Sequence, residues 1–245
     1  MHVFITGGSK GIGRGMVVEF LKRGHSVSFT GTSDDSIKKS SIDLKGDFLG
    51  LVCDVRNYDD LVKAKELAIN KFECIDIWIN NAGIGQAYKD VSDLTESEIK
   101  DVININVNGM IMGTSIALTE MKKQNHGTIY NMEGLGSDGR VIPKTLIYGS
   151  SKRLLRYFSK GINKELKGFK EINVGTLSPG MVFTDLLLKD SSPESMKIIN
   201  ILGNSVEEVT PFLVEKMISG KKNINWLTNR KVMYKFFISL FKKKK

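Results

Sequence analysis

Tyr148 and Lys152 stand four residues apart, the spacing that puts two side chains on one face of a helix. A phenol ordinarily titrates at about 10, too high for easy proton exchange at neutral pH. A cation beside it favours phenolate and lowers that value. A tyrosine so placed is a general acid toward a developing alkoxide and a base in the reverse direction. Asn106 lies on an apolar helical face with Ile99, Val102 and Ile103. A buried amide needs partners, so Asn106 either holds a water that relays protons to Lys152 or caps a kink in the backbone.

The partner chemistry is written near the start of the chain. Thr6-Gly7-Gly8-Ser9-Lys10-Gly11-Ile12-Gly13 lies between a strand pattern and a helix pattern. Gly7 suits the tight turn, Gly11 lets a phosphate approach the backbone, and Gly13 lets helix and strand pack closely. A helix N-terminus there presents free N–H groups to a pyrophosphate. Ser9, Lys10 and Ile12 fall in the same wall. A nicotinamide dinucleotide follows, and its oxidised ring adds a second influence toward phenolate at Tyr148.

A carboxylate at the end of strand 2 would suit NAD(H). Gly31-Thr32-Ser33 stands there instead, with Asp34 and Asp35 following. Lys10, Thr32 and Ser33 suit a 2′-phosphate, which favours NADP(H) over NAD(H). Asp54, followed by Val55, is placed to accept from the adenine amino group. Asn80-Asn81-Ala82-Gly83 ends the fourth strand. Small Ala82 and Gly83 let the backbone approach a ribose, and an Asn amide can tie neighbouring strands.

The elements that position these residues alternate. Strand patterns at 3–6, 27–30, 48–55, 75–80, 128–132 and 172–177, with a seventh at 223–227, are separated by helical spacings. Among the helical marks are Ile12 to Leu21, Leu61 to Phe72, a long helix after the Thr95/Glu98 capping box, and Tyr148 to about Leu166. This order predicts an α/β fold: a Rossmann-like, doubly wound parallel sheet of six to seven strands with helices on both faces, in one domain. Residues 1–229 form the body. Residues 184–222 leave the carboxyl edge of the sheet, where such folds bind ligands, and read as a substrate lid with helical pieces or as a structural helical excursion.

Cys53 and Cys74 lack the spacing of a zinc site or a disulfide framework, and His2, His25 and His126 are scattered, so no metal is expected. No run of about 18 apolar residues marks a membrane span, and the chain enters its first strand at His2, without room for a signal or transit peptide. A cytoplasmic protein is therefore expected. The net charge of +9 is unevenly placed: residues 230–245 carry +7 and no acidic residue, leaving +2 for the rest. No nucleic-acid partner is expected of so neutral a body. Met233, Phe236, Phe237, Leu240 and Phe241 share one face of that tail, giving a basic amphipathic helix suited to peripheral membrane contact. Covering the active-site mouth or a subunit interface is the other reading.

Taken together, TGGSKGIG, Asp54, NNAG, Asn106, Tyr148, Lys152 and Ser178-Pro179-Gly180 resemble the short-chain dehydrogenase/reductase family, over nearly the whole chain. The resemblance implies that Tyr148 is the proton donor, that Lys152 binds the nicotinamide ribose and acidifies Tyr148, and that Asn106 supports the relay. It implies that Val182 and Thr184, after Pro179 and Gly180, contact the carboxamide. The substrate is then a small carbonyl or alcohol, and the assembly a homodimer or homotetramer.

One departure stands out. The family places a catalytic serine twelve or thirteen residues before the tyrosine, and those positions hold Gly136 and Leu135. Ser137 is the nearest hydroxyl and is assigned the role, with Glu133, Asp138 or no side chain as alternatives. NMEGLGSDGR (131–140), Pro143, YGSSKR (148–153), LSPGMVFTDLL (177–187) and NINWLT (223–228) resemble the chlorophyll(ide) b reductases within the family. Those enzymes reduce a formyl group on a chlorophyll ring with NADPH; another carbonyl, aldehyde or alcohol is the alternative substrate. A non-catalytic NADP(H)-binding sensor would keep the glycine loop but have no need of Tyr148, Lys152 and Asn106.

Overall fold

The computed structural model of the protein describes residues 1–189 and 192–242. Its strands are β1 (His2–Ile5), β2 (Ser26–Gly31), β3 (Phe48–Val52), β4 (Ile77–Asn80), β5 (Gly127–Met132), β6 (Ile172–Ser178) and β7 (Asn223–Asn225). They form one parallel sheet in the order β3-β2-β1-β4-β5-β6-β7. The order reverses between β1 and β4, so their carboxyl ends open the crevice in which such sheets bind ligands.

Both faces of the sheet are covered, which is why its strands read as nearly continuous apolar runs. Val3, Ile5, Ile77 and Ile79 face one core with Met16, Phe20, Val209 and Leu213. Phe4 and Trp78 face the other with Leu61, Ala68, Ile116 and Met121, and their rings stack 4.1 Å apart. The helices behind the first core are α1 (Gly11–Lys22) and, much later, α9 (Val206–Ile218). The second is backed by α3 (Tyr58–Phe72) and α5 (Met110–Gln124).

Between β2 and β3 lies α2 (Asp34–Ser41), too polar to show an apolar period. Helix α4 (Glu96–Ile103) runs through a π-helical turn, Asn104–Gly109, into α5. The rod Glu96–Gln124 is long and apolar enough, by length and composition alone, to cross a membrane. Here Val102, Met110, Ile116 and Met121 are buried, as in a core helix. Helix α6 (Leu146–Glu165) follows β5.

After β6 come α7 (Asp185–Leu188) and α8 (Pro193–Leu202). The lid expected over 184–222 is corrected by α9, which lies in that span. Its Val209, Leu213, Val214 and Met217 are buried in the first core, and Gly15 of α1 has no room for a Cβ against Val206 and Thr210. Among the described residues of that span, α7 buries none and α8 buries Ile199 and Leu202. Asn204 joins Val182 in an isolated parallel bridge, which pins the return.

The tail forms α10 (Asn229–Lys242); residues 243–245 of the expected basic run lie outside the described residues. Lys235 donates to the Leu202 and Gly203 carbonyls and to Asn204 Oδ1, at 3.2, 2.9 and 2.8 Å. The Lys231 ammonium sits 3.2 Å from the centre of the Trp226 ring. Those anchors turn Met233, Tyr234, Phe237, Leu240 and Phe241 outward, each at least 60% exposed.

Candidate active site

The glycine loop leaves β1 at Thr6, whose side chain organises the crevice. Thr6 Oγ1 accepts from the Asn81 and Ala82 N–H groups at 3.0 and 3.1 Å. Asn81 Nδ2 donates back to the Thr6 and Gly7 carbonyls at 2.9 and 3.0 Å. The two loops touch at Gly7, where φ is +63° and a Cβ would come within 2.9 Å of Ala82 Cα. Gly13 lies against the Gly7 carbonyl and the Asn81 amide with no space for a side chain.

This cradle fits a dinucleotide. The first turn of α1 has no side-chain cap, so its N–H groups remain for an anion. Gly11, with φ +55°, leaves an opening bounded by Thr184, whose methyl would be 3.4 Å from a Cβ there. Ser9 and Ile12 are half-buried in the cradle wall, and Lys10 is exposed at the rim.

Some expected cofactor residues have internal duties. Ser33 caps α2, its hydroxyl accepting from the Ser36 N–H at 3.2 Å, while Thr32 is exposed. The Asp54 carboxylate is gripped by Arg56 Nε and Nη2 at 2.9 and 2.6 Å, and these bonds hold its pKa below the usual carboxylate value. Val55 is buried under Gly109. Asn80 accepts from Trp78 Nε1 at 2.8 Å and donates to Thr114 Oγ1 and Asn131 Oδ1 at 2.9 and 2.8 Å. Its amide is thus a tie between strands. Pro179 and Gly180 turn the chain after β6, Gly180 with φ +73°, and Val182 is buried.

The residues expected to move the proton meet at the ends of β4 and β5. Tyr148 and Lys152 sit in the first two turns of α6, and Lys152 Nζ is 5.8 Å from the Tyr148 ring centre. Lys152 is 6% exposed and donates to the Met132 carbonyl at 3.1 Å. Asn106 lies in the π-helical turn, and its amide accepts from and donates to the Ile84 backbone, both at 2.9 Å. Its Nδ2 also donates to Ser151 Oγ at 3.3 Å. Gly83 lies between, with a Cβ position 3.2 Å from Asn106 Oδ1 and 3.6 Å from Lys152 Nζ.

The electrostatics differ from the sequence expectation. Burial pushes the Tyr148 phenol up to about 12 and pulls Lys152 down to about 8, with Glu133 opposing that fall. The chain's own groups therefore do not acidify the phenol, because the low-dielectric site disfavours both charged forms.

Ser137 is buried, and its hydroxyl accepts from the Gly134 N–H at 3.0 Å. Gly134 in turn lies against the Tyr148 hydroxyl, so Ser137 is linked to the site through one peptide. Gly136 holds φ +93° and backs onto Gly149, which explains why no side chain stands there. The alternatives to Ser137 are both engaged: Arg156 Nε and Nη2 donate to the Glu133 carboxylate at 2.7 and 2.8 Å, and Arg140 Nε donates to Asp138 at 2.6 Å.

Three contributors carried no sequence signal. Gln86 Oε1 accepts from the Ile147 and Tyr148 N–H groups at 2.8 and 3.1 Å, capping α6 from sixty residues away. Ser151 Oγ donates to the Tyr148 carbonyl at 2.6 Å. Arg156 is the third. The fold also gathers Cys74, Asp76 and His126 at the opposite edge of the sheet, with ligating atoms within 4.8 Å of one another. There Asp76 already accepts from the His2 N–H at 2.7 Å and pairs with His126 Nε2 at 3.1 Å, so the cluster serves as a tie between strand ends.

A family model described as short chain dehydrogenase matches residues 1–195. The chlorophyll(ide) b reductase, chloroplastic, of Oryza sativa subsp. japonica is 35% identical over 254 residues, covering 96% of this chain and 74% of the relative. That of Arabidopsis thaliana is 33% identical over 252 residues, covering 96% and 72%. Two longer chloroplastic relatives are spanned over 51% of their length. The expectation of a cytoplasmic location is corrected by these comparisons, since the relatives are chloroplastic proteins.

Among solved structures, 3-ketoacyl-(acyl-carrier-protein) reductase from Brucella melitensis complexed with NADH superposes with a TM-score of 0.79 at 23% identity, covering 95% of this chain and 92% of that one. A closed serine dehydrogenase complexed with NADP+ gives a TM-score of 0.79 at 23% identity, covering 92% and 94%. Neighbours at such identity share the fold alone, and they include complexes with either cofactor.

Proposed function

The chain belongs to the short-chain dehydrogenase/reductase family and is an NAD(P)-dependent oxidoreductase acting on a carbonyl or alcohol group of a small molecule; within that class, we propose that it reduces a carbonyl with NADPH and that Tyr148 supplies the proton. The observation that carries this reading is the convergence of Tyr148, Lys152 and Asn106 on the loop after β4, beside the glycine cradle.

When bound, the dinucleotide supplies the hydride. The glycine cradle and the first turn of α1 hold its phosphates, Lys10 and Thr32 meet a 2′-phosphate, and Thr184 borders its carboxamide. Tyr148 Oη gives its proton to the carbonyl oxygen as charge develops there. Lys152, directed by the Met132 carbonyl, stabilises the phenolate that remains. Ser137 orients the carbonyl oxygen through its hydroxyl, for whose own proton no acceptor stands among the described residues. Asn106 keeps the Ile84 loop against the site.

The substrate is apolar and large, in the manner of the formyl pigment of the chlorophyll(ide) b reductases. Supporting this, Phe183, Leu186 and Leu188 are 39–46% exposed around α7, whose Leu186 carbonyl faces Gly85 of the β4 loop. Helices α7 and α8 form the lid. The exposed apolar face of α10, with basic residues on its flanks, rests on an anionic membrane surface. The protein assembles as a homodimer or homotetramer through α4–α5 and α6, which leaves Tyr157 85% exposed in one chain.

The test is NADPH oxidation against aldehydes, ketones and formyl-bearing pigments, repeated with Tyr148→Phe. Turnover by the parent and its loss in the variant are expected. Undiminished turnover in Tyr148→Phe would overturn the assignment.

A further inference from the structure

Helix α6 delivers two cations, one turn apart, to the same strand end. Lys152 Nζ donates to the carbonyl of Met132, the last residue of β5, at 3.1 Å. Arg156 grips the carboxylate of the next residue, Glu133, through two bonds of 2.7 and 2.8 Å. The Glu133 N–H donates to the Leu177 carbonyl at 2.7 Å, so that carboxylate rides on a peptide fixed by β6.

The two partners are unequally placed. The Glu133 side chain is 2% exposed and that of Arg156 is 45% exposed. A buried carboxylate is costly without a partner, and the bidentate fork is the strong form of such a pair. A bridge that only fastened α6 to β5 would do so equally well at the surface. This one buries a negative charge on the residue next to the carbonyl that Lys152 holds.

Among the described residues, the other groups placed against Lys152 are neutral: the Asn106 amide from the π-helical turn, Gly83 from the β4 loop and Tyr148 from its own helix. Beyond the pair, Asp138 acts on Arg156 and is itself bound by Arg140.

We propose that Glu133 and Arg156 are a positioning pair that governs how firmly Lys152 keeps its charge, Glu133 favouring the ammonium and Arg156 tempering it. The inference rests on the reading of Tyr148 and Lys152 as the proton-transfer pair. Burial draws Lys152 down to about 8, and Glu133 is the group that opposes the fall.

Two substitutions give opposite signs. Glu133→Gln keeps size and removes the charge. Arg156→Met removes the opposing cation and leaves the carboxylate. The first readout uses protein without cofactor: unfolding stability against pH, each variant compared with its double carrying Lys152→Met. The Lys152-dependent rise in stability, starting near pH 8 in the parent, should start about one pH unit lower in Glu133→Gln and higher in Arg156→Met. The second readout is the alkaline limb of kcat/KM for carbonyl reduction, which should move in the same two directions.

If both variants lose stability alike and move neither curve, the pair is only a fastener and the proposal falls. Should one variant fail to fold, the sign of the other decides. Tyr148→Phe separates the two readings. If it is inactive while the limbs stay fixed, the pair alone is rejected. If it retains turnover, the proton-donor reading is rejected, and the cofactor-free curves then judge the pair by themselves.

Discussion

The Tyr148 hydroxyl fills the space that a side chain on Gly134 would need. Gly134 does not have a positive φ, so alanine fits its backbone; a Cβ there meets the phenol oxygen most closely and Lys152 Cγ next, at 3.2 Å. Gly134→Ala should therefore fold and melt near the parent while losing about 10²-fold in turnover, the scale of a misplaced reacting group. Steady-state kinetics beside a thermal melt checks this; unchanged kcat would mean that the hydroxyl is used elsewhere.

Ser137→Ala tests the shifted hydroxyl. A donor to the carbonyl oxygen is worth about 10² in kcat. Full turnover in the variant would remove Ser137 from the site and leave the Gly134 peptide as the polar group beside the phenol.

Lys152→Met should separate stability from activity. Burial lowers the folded pKa from 10.5 to about 8, so the unfolded chain binds the extra proton between those values. Stability then rises with pH across that window, and below pH 8 the full penalty applies. Removing the amine should stabilise the protein at pH 7 by up to about 3 kcal/mol and cost at least about 10²-fold in turnover. Chemical denaturation at pH 7 and pH 10 reads the first part; a loss of stability at pH 7 would contradict it.

Lys10→Ala addresses cofactor choice. Lys10 is exposed beside the uncapped first turn of α1, and a charged hydrogen bond to a 2′-phosphate is worth about tenfold or more in affinity. NADPH binding should weaken with NADH binding unchanged, as followed by fluorescence titration. Equal loss of both would count against an NADPH preference.

The tail calls for substitutions that spare its anchors. Since Lys231 and Lys235 hold α10 to Trp226 and Asn204, Phe237→Asp with Leu240→Asp changes only the outward face. Co-sedimentation with anionic vesicles should fall sharply in the double variant and in high salt. Parent protein that ignores vesicles but dimerises through this face would reject the membrane reading.

Local patterns were legible and distant pairings were not. The glycine loop and the Tyr148/Lys152 spacing each lie within one turn, so residue order alone exposes them. Gln86, by contrast, reaches Tyr148 only after β4 and α6 are docked. Arg156 meets Glu133 across twenty-three positions, and Ser33, read from the sequence as a phosphate ligand, is seen to cap a helix only once α2 is formed. Helix α9 shows an apolar period, yet its packing against α1 joins the two ends of the chain, and that misled the lid boundary. Gly136 and Leu135 stand where the family pattern would place a serine, a departure visible in residue order, but the lack of space at Gly134 depended on where a phenol from another element came to rest.

The widened turn at Asn104–Gly109 has a geometric consequence. The stretch sets the angle between Asn106, which meets the Ile84 loop, and the Gly109 and Gly113 seats against Val55 and Asn80. Each residue advances an α-helix by about 100°, so deleting one residue of the turn would swing Asn106 by about that angle relative to those seats. The rod could then keep its hold on the Ile84 loop or its seat on the sheet, but not both.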